Sequence, residues 1–166
     1  MEIRELNFDD KRAFSDFVTE WKKDENPFHH LFMIEKAKEL QFEDYLSFVE
    51  DLKIENDDPN HSSGTTYFAF EQGVMVGMLN CRWQIEKGSL FRTGGHIGYA
   101  VVPSFRRRGL AGKMIEFGLE KYKEHGIYRV LVCAKVENEV SRHVIEQAGG
   151  QMENIIDGEC RYWIDL

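Results

Sequence analysis

The sequence predicts an α/β (α+β) fold, a sheet flanked by helices, and three observations predict it. The first 53 residues carry apolar side chains at helical spacing. Residues 65–83 read as two strands around a tight turn. Residues 94–148 then alternate strand, helix, strand and helix, the order of a unit whose helix crosses over a sheet. The 166 residues suit one domain with a substantial core. No internal repeat or low-complexity segment divides them, so a single domain over 1–166 is expected.

Residues 2–6 alternate weakly and open the sheet. Residues 8–21 follow as a helix, with Phe14, Phe17, Val18 and Trp21 on one face and Asp9 and Asp10 in the opening turn. Asn26-Pro27 breaks it, and residues 28–40 are ambiguous between loop and short helix. Tyr45, Phe48, Val49 and Leu52 mark a second helix over about 42–53. Residues 56–64 (NDDPNHSSG) are rich in turn formers and read as a loop. The residues before it show no closed core of their own, which argues against a linker. Residues 65–71 and 74–83 flank Gln72-Gly73 as a hairpin. Residues 94–102 form a third strand and 110–123 a helix ended by Gly126. The apolar run 127–134 fits a strand buried on both faces. Asn138 caps a helix running to Ala148, Gly149-Gly150 stops it, and 162–166 form a last strand.

Composition excludes several functions. The apolar fraction of 42% is that of a folded chain, yet no apolar run reaches the length of a membrane span. The start, MEIRELNFDD, lacks a secretory pattern. Cys81, Cys133 and Cys160 are few, odd in number and widely spaced, which fits a reducing cytoplasm better than disulfides or zinc. The adjacent His29 and His30 match no metal spacing, so no metal is expected. Net charge is −8, with 17 acids and 8 bases in residues 1–60 and 12 acids and 13 bases in 61–166. Nucleic acid is therefore an unsuitable partner.

One stretch does point to an anion. In VVPSFRRRGLAGKMI (residues 101–115), Arg106, Arg107 and Arg108 precede a helix whose N-terminus already carries partial positive charge. Gly109 and Gly112 open that helix with little bulk, so its bare N–H groups form an anion cradle. A nucleotide P-loop is excluded: Arg107 and Met114 stand where it needs Gly and Ser or Thr. The dinucleotide pattern GxGxxG is also absent.

What remains is Arg106-x-x-Gly109-x-Ala111 directly after a strand, followed by Asn138-x-x-Ser141-x-x-Val144-Ile145-x-x-x-Gly149-Gly150. The pair resembles two motifs of the GCN5-related N-acetyltransferase (GNAT) superfamily, and GGHIGYAVVPSFRRRGLAGKM with RYWIDL is similar to one bacterial group of predicted acetyltransferases. The resemblance implies a mixed, mostly antiparallel sheet with two splayed parallel central strands, here 94–102 and 128–134. It implies acetyl-coenzyme A as cosubstrate and no metal. Backbone groups of Val101 and Val102 would pair with the pantetheine arm. The turn Arg106, Arg107, Arg108, Gly109, Leu110, Ala111 and Gly112 would take the pyrophosphate, and Asn138 and Ser141 would line the pantetheine passage. Residues 65–166 would be the coenzyme-binding core and 1–64 the variable, acceptor-side segment.

The resemblance also implies acetyl transfer by direct attack of a primary amine, on a small molecule or a protein, in the cytoplasm. The oxyanion donor would be a backbone N–H near Val101. Its usual tyrosine acid is replaced by Ile145, leaving Tyr162, His143, Ser141 or no donor at all. For the base, His96 is the candidate by its unperturbed pKa near 6.5, set against a structural histidine. Arg82 is read either as binding an acceptor carboxylate or as facing water, and Cys133 as core packing. The acceptor should lie against residues 1–60 and loop 56–64, whose acidity suits a cationic amine. Phe28, Phe32 and Trp21 are pocket or core. The alternative function is a non-catalytic acyl-coenzyme A sensor or partner module, and the oligomeric state stays open between monomer and homodimer.

Overall fold

The computed structural model describes residues 1–28 and 31–166, so His29 and His30 lie outside the described residues. Two antiparallel sheets carry the architecture. The first holds β1 (Glu2–Arg4), β2 (Gly64–Glu71), β3 (Val74–Arg82) and β4 (Ile97–Val101) in that order. The second holds β5 (Arg129–Lys135), β7 (Glu159–Asp165) and β6 (Gln151–Ile156), with β7 in the middle. Helices α1 (Lys11–Lys22), α2 (Phe32–Glu39), α3 (Phe42–Asp51), α4 (Leu110–Glu124) and α5 (Glu139–Gln147) cover them. The predicted α/β class and its mostly antiparallel pairing are both present.

The first sheet is buried on both faces, which explains the near-continuous apolar reading of β2 and β3. Phe68, Phe70, Met78, Ala100 and Val102 meet Phe14, Phe17, Trp21, Ile34, Tyr45 and Val49 of α1–α3 in one core. Tyr67, Leu79, Cys81 and Ile97 meet Ile115, Leu119 and Tyr122 of α4 and Val130, Val132 and Tyr162 of the second sheet in another. The first sixty residues lack a closed core of their own because they complete this face. The ambiguous segment 28–40 contains a true helix, α2, whose Met33, Ile34 and Ala37 are buried. β6 was absent from the expected elements; almost all of it is exposed, so it carries no one-sided apolar pattern.

The two sheets meet at one bridge, Gly95 with Val132. Gly95 has φ +66, and a Cβ built there would lie 2.5 Å from the Leu131 carbonyl oxygen. Only glycine permits both that conformation and that approach. Beyond it β4 pairs with β3 and β5 with β7, and the two share no ladder. Among the described residues no helix is long and apolar enough to cross a membrane.

Gly95→Ala should therefore strain the backbone bridge that joins the two sheets. We expect a loss of about 2–4 kcal/mol in chemical denaturation, from strain at positive φ together with the backbone clash; a loss under about 0.5 kcal/mol would show that the junction yields.

Candidate functional site

At His96 the chain changes partners. Its N–H donates to Leu131 O of β5 at 2.8 Å, while its C=O accepts from Arg82 N–H of β3 at 2.9 Å. The ring supplies what the backbone gave up: Nδ1 accepts the Leu131 N–H at 2.8 Å. The Tyr122 hydroxyl of α4 donates to His96 O at 2.6 Å and accepts the Arg82 N–H at 3.1 Å. Burial, with the nearby Arg82 charge, lowers the His96 pKa to about 4, so the imidazole is neutral near pH 7. A buried ring with its lone pair committed to a main-chain N–H is placed to join strands, unlike the base the sequence suggested.

Past His96 the ladder to β3 settles into alternation. Val102 N–H donates to Val76 O at 2.9 Å, and the register pairs Ala100 with Met78 and Gly98 with Asn80. In an antiparallel ladder the alternate residues, Ile97, Tyr99 and Val101, turn their N–H and C=O groups away from the partner strand. Those groups face the side where β5 has diverged. The Val101 N–H faces this side, whereas its C=O accepts from Arg106 Nε at 3.1 Å. Val102, contrary to expectation, offers neither group there, since its N–H is spent on Val76 and its C=O accepts from Phe105 N–H at 2.9 Å. Tyr99, which the motif reading passed over, shares the outward parity of Val101.

The arginine turn follows. Gly109, at φ +74, stands just before α4, and no side chain caps the helix. A Cβ at Gly109 or Gly112 would meet nothing within 4 Å. The N–H groups of Leu110, Ala111 and Gly112 in the first turn have no intrahelical partner, and the first bond is Lys113 N–H to Gly109 O at 3.3 Å. The residues present therefore fit a diphosphate with backbone donors and space. The arginine side chains are divided. Arg106 turns inward, with Nη2 on Asp24 Oδ2 at 2.8 Å, Nε on Val101 O at 3.1 Å and its guanidinium over Trp21. Arg108 lies over Phe105 and 3.9 Å from Glu71, and Arg107 is exposed. Arg106 is thus a strut between α1 and the turn, committed before any phosphate arrives.

Across the gap, Asn138 caps α5 through Ser141 N–H at 3.3 Å. Ser141 Oγ lies 2.6 Å from the Tyr99 hydroxyl, joining β4 to α5. Burial raises the Tyr99 pKa to about 12, keeping the phenol protonated. Ile145 is fully buried, and the Tyr162 hydroxyl donates to Glu146 at 2.9 Å while accepting from Arg142 at 3.0 Å. Burial also raises the Cys133 thiol to about 11, which suits packing and not acyl transfer. Among the described residues no group of His, Cys, Asp and Glu is arranged for a metal.

On the α1–α3 side of β3 and β4 lies a cleft of about 470 Å³. Leu31, Phe32, Met33, Phe48, Leu52 and Met78 form its apolar wall; Asn80, Arg82 and Gly98 line it from the sheet. Residues 60–62 and 87–90 complete it, the second loop having given no signal in the sequence. The two loops are tied by Gly88 N–H to Pro59 O at 2.8 Å and by Lys87 Nζ to Asp58 O at 3.0 Å. Phe32 thus belongs to the cleft, whereas Trp21 is core. No Asp or Glu is among the described lining residues. Part of the acidity of residues 1–60 is paired outside the cleft, as in Glu35–Lys38, Glu43–Lys11 and Glu50–Lys53.

Comparison with known proteins agrees with this geometry. Residues 15–150 match the family model described as acetyltransferase (GNAT) family. N-alpha-acetyltransferase 30 of Schizosaccharomyces pombe (strain 972 / ATCC 24843) is 25% identical over 85 residues, 51% of this chain and 55% of that protein. The chain thus spans about half the length of that curated relative. The GNAT domain of S. lividans PAT has a TM-score of 0.70 at 17% identity, covering 99% of this chain and 89% of that one. The PaiA N-acetyltransferase from Thermoplasma acidophilum, solved in complex with coenzyme A, has a TM-score of 0.65 at 13% identity, over 99% and 98% of the chains. At those identities the likeness establishes the fold.

The His96 geometry makes a pH prediction. The folded form refuses a proton down to about pH 4, while the unfolded chain takes one up near pH 6.5. Stability from this group is therefore full above about pH 6.5 and is lost as pH falls toward 4. Between pH 7 and 4.5 the wild type should lose about 2 kcal/mol on this account, and His96→Gln should remove that part of the pH dependence in denaturant titrations.

Proposed function

The chain belongs to the GNAT acetyltransferase family, and from that premise we propose that it moves an acetyl group from acetyl-coenzyme A to a primary amine of a small molecule or protein. The observation that carries the reading is the uncapped start of α4 behind left-handed Gly109, beside the outward edge of β4. In this reading residues 65–166 bind the coenzyme and residues 1–64 shape the acceptor side of a single domain.

Bound acetyl-coenzyme A supplies a thioester: a C–N bond forms at its carbonyl carbon, the C–S bond breaks, the attacking nitrogen loses a proton and the sulfur leaves as thiol. The chain's own groups take up the remaining tasks. First-turn N–H groups of α4 hold the diphosphate, favoured by the helix dipole. The main-chain groups of Tyr99 and the N–H of Val101 pair with the pantetheine amides as an added strand would. An N–H on the same edge stabilises the oxyanion. With Ile145 at the usual tyrosine position, the Tyr99 hydroxyl held by Ser141 donates the proton to sulfur. His96 joins the strands and leaves the base role to others.

Ile145 also motivates a second reading, an acyl-coenzyme A-binding module without turnover. Release of free coenzyme A in the presence of an amine panel separates the two. Calorimetry should show acetyl-coenzyme A binding that Gly109→Glu weakens roughly tenfold or more, because a carboxylate at that point repels the diphosphate. No binding to the folded native chain would sink the proposal. Tyr99→Phe should lower kcat about 100-fold while binding is retained; an unchanged kcat would show that the thiolate leaves without this donor.

A further inference from the structure

Arg82 has no carboxylate at ion-pair distance among the described residues; the acid whose charge reaches it, Glu159, is held by the Gly94 N–H at 3.0 Å. Arg82 Nε donates to Gly95 O and its Nη2 to Gly94 O, both at 2.8 Å. Nη1 lies over Gly98, only 3.3 Å from where a Cβ would stand, so the absent side chain makes its room. No carboxylate among the described residues pairs with it, whereas Arg4, Arg106 and Arg161 meet Asp10, Asp24 and Glu153 at 2.7, 2.8 and 2.7 Å. Arg82 and Gly98 both line the cleft, where Lys87 is a second cation and no acid is found among the described lining residues. A largely desolvated guanidinium held by carbonyls and without a direct carboxylate contact is incompletely compensated, and a carboxylate is the group its fork fits best.

We infer that Arg82 binds a carboxylate of the acceptor, and that the acceptor is an amino acid-like compound joining an amine, a carboxylate and an apolar side chain. The inference rests on the acetyl-transfer reading. Leu31, Phe32, Phe48 and Leu52 offer the apolar side chain a wall, and the cleft volume is that of a small-ligand site. Gly98 precedes Tyr99 by one residue and Val101 by three, roughly 3–10 Å along the strand. A carboxylate at Arg82 thus places an amine a few bonds away at the outward edge of β4. The carboxylate has two sources, a free amino acid or the acidic first residue of a peptide.

The test compares leucine with leucinamide, and peptide amides beginning with Asp with those beginning with Asn, in native protein, Arg82→Gln and Gly98→Ala. The last keeps the charge but crowds Nη1. Native kcat/KM should favour the acid of one pair by about 10- to 100-fold, and both variants should erase that preference. A leucine preference identifies a free amino acid; an Asp preference identifies a peptide terminus. Calorimetry of N-acetyl-leucine against N-acetyl-leucinamide should show the same contrast without turnover. No preference within either pair, or equal loss on all acceptors in the variants, would overturn the inference and leave Arg82 as a strut for residues 94–95. Failure of acetyl-coenzyme A to bind would instead overturn the acetyl-transfer reading.

Discussion

Much of the site depends on how His96 is bonded. A strand residue closes its pair with a neighbour through N–H and C=O; His96 closes the pair with Leu131 through N–H and ring Nδ1, freeing its C=O for β3. The substitution lets one residue belong to two sheets. Because the ring is fixed by burial and by Tyr122, the junction is held at a point and not along a ladder. Beyond it, the outward groups of β4 have no strand to meet. An open sheet edge is ordinarily a liability for aggregation. Here the Tyr99–Ser141 contact links β4 to α5 beside that edge, and a ligand with amides of its own would satisfy it.

Burial of the first sheet on two faces divides the work. The face toward α4 carries Leu79, Cys81 and Ile97 and packs against Ile115 and Leu119, fixing the helix whose N-terminus would meet the diphosphate. The face toward α1–α3 packs tightly at Phe68, Phe70 and Met78, then opens where Asn80, Arg82 and Gly98 replace bulky apolar residues. Coenzyme and acceptor would approach one strand from different directions, meeting at its edge. Arg106 ties these halves together, since it bonds both to Asp24, just after α1, and to Val101 at the end of β4.

Signals of local physics were legible in the sequence. Helical spacing at Phe14, Phe17 and Trp21, the hairpin around Gln72-Gly73 and the Gly109 turn all appear where local pattern placed them. Quantities set by partners were not. Whether Val101 or Val102 faces outward is a matter of ladder parity, fixed by the bond from Val102 to Val76 across the sheet. The sequence could name His96 as titratable, but its commitment to Leu131 arises 35 residues away. Arg82 likewise could not be read without Gly94 and Gly95, whose carbonyls hold it.

Bulk charge is a related case. The acidity of residues 1–60 suggested an acceptor site attractive to cations, yet several of their helical carboxylates are held by neighbouring lysines at the surface, where such pairs contribute little. The cleft is governed by Arg82 and an apolar wall. Were a carboxylate to neutralise that guanidinium, desolvation would act on the remaining amine and favour its uncharged form. That form is the nucleophile. A site that strips water from its amine has less need of a strong base, which is consistent with a histidine given over to holding strands together.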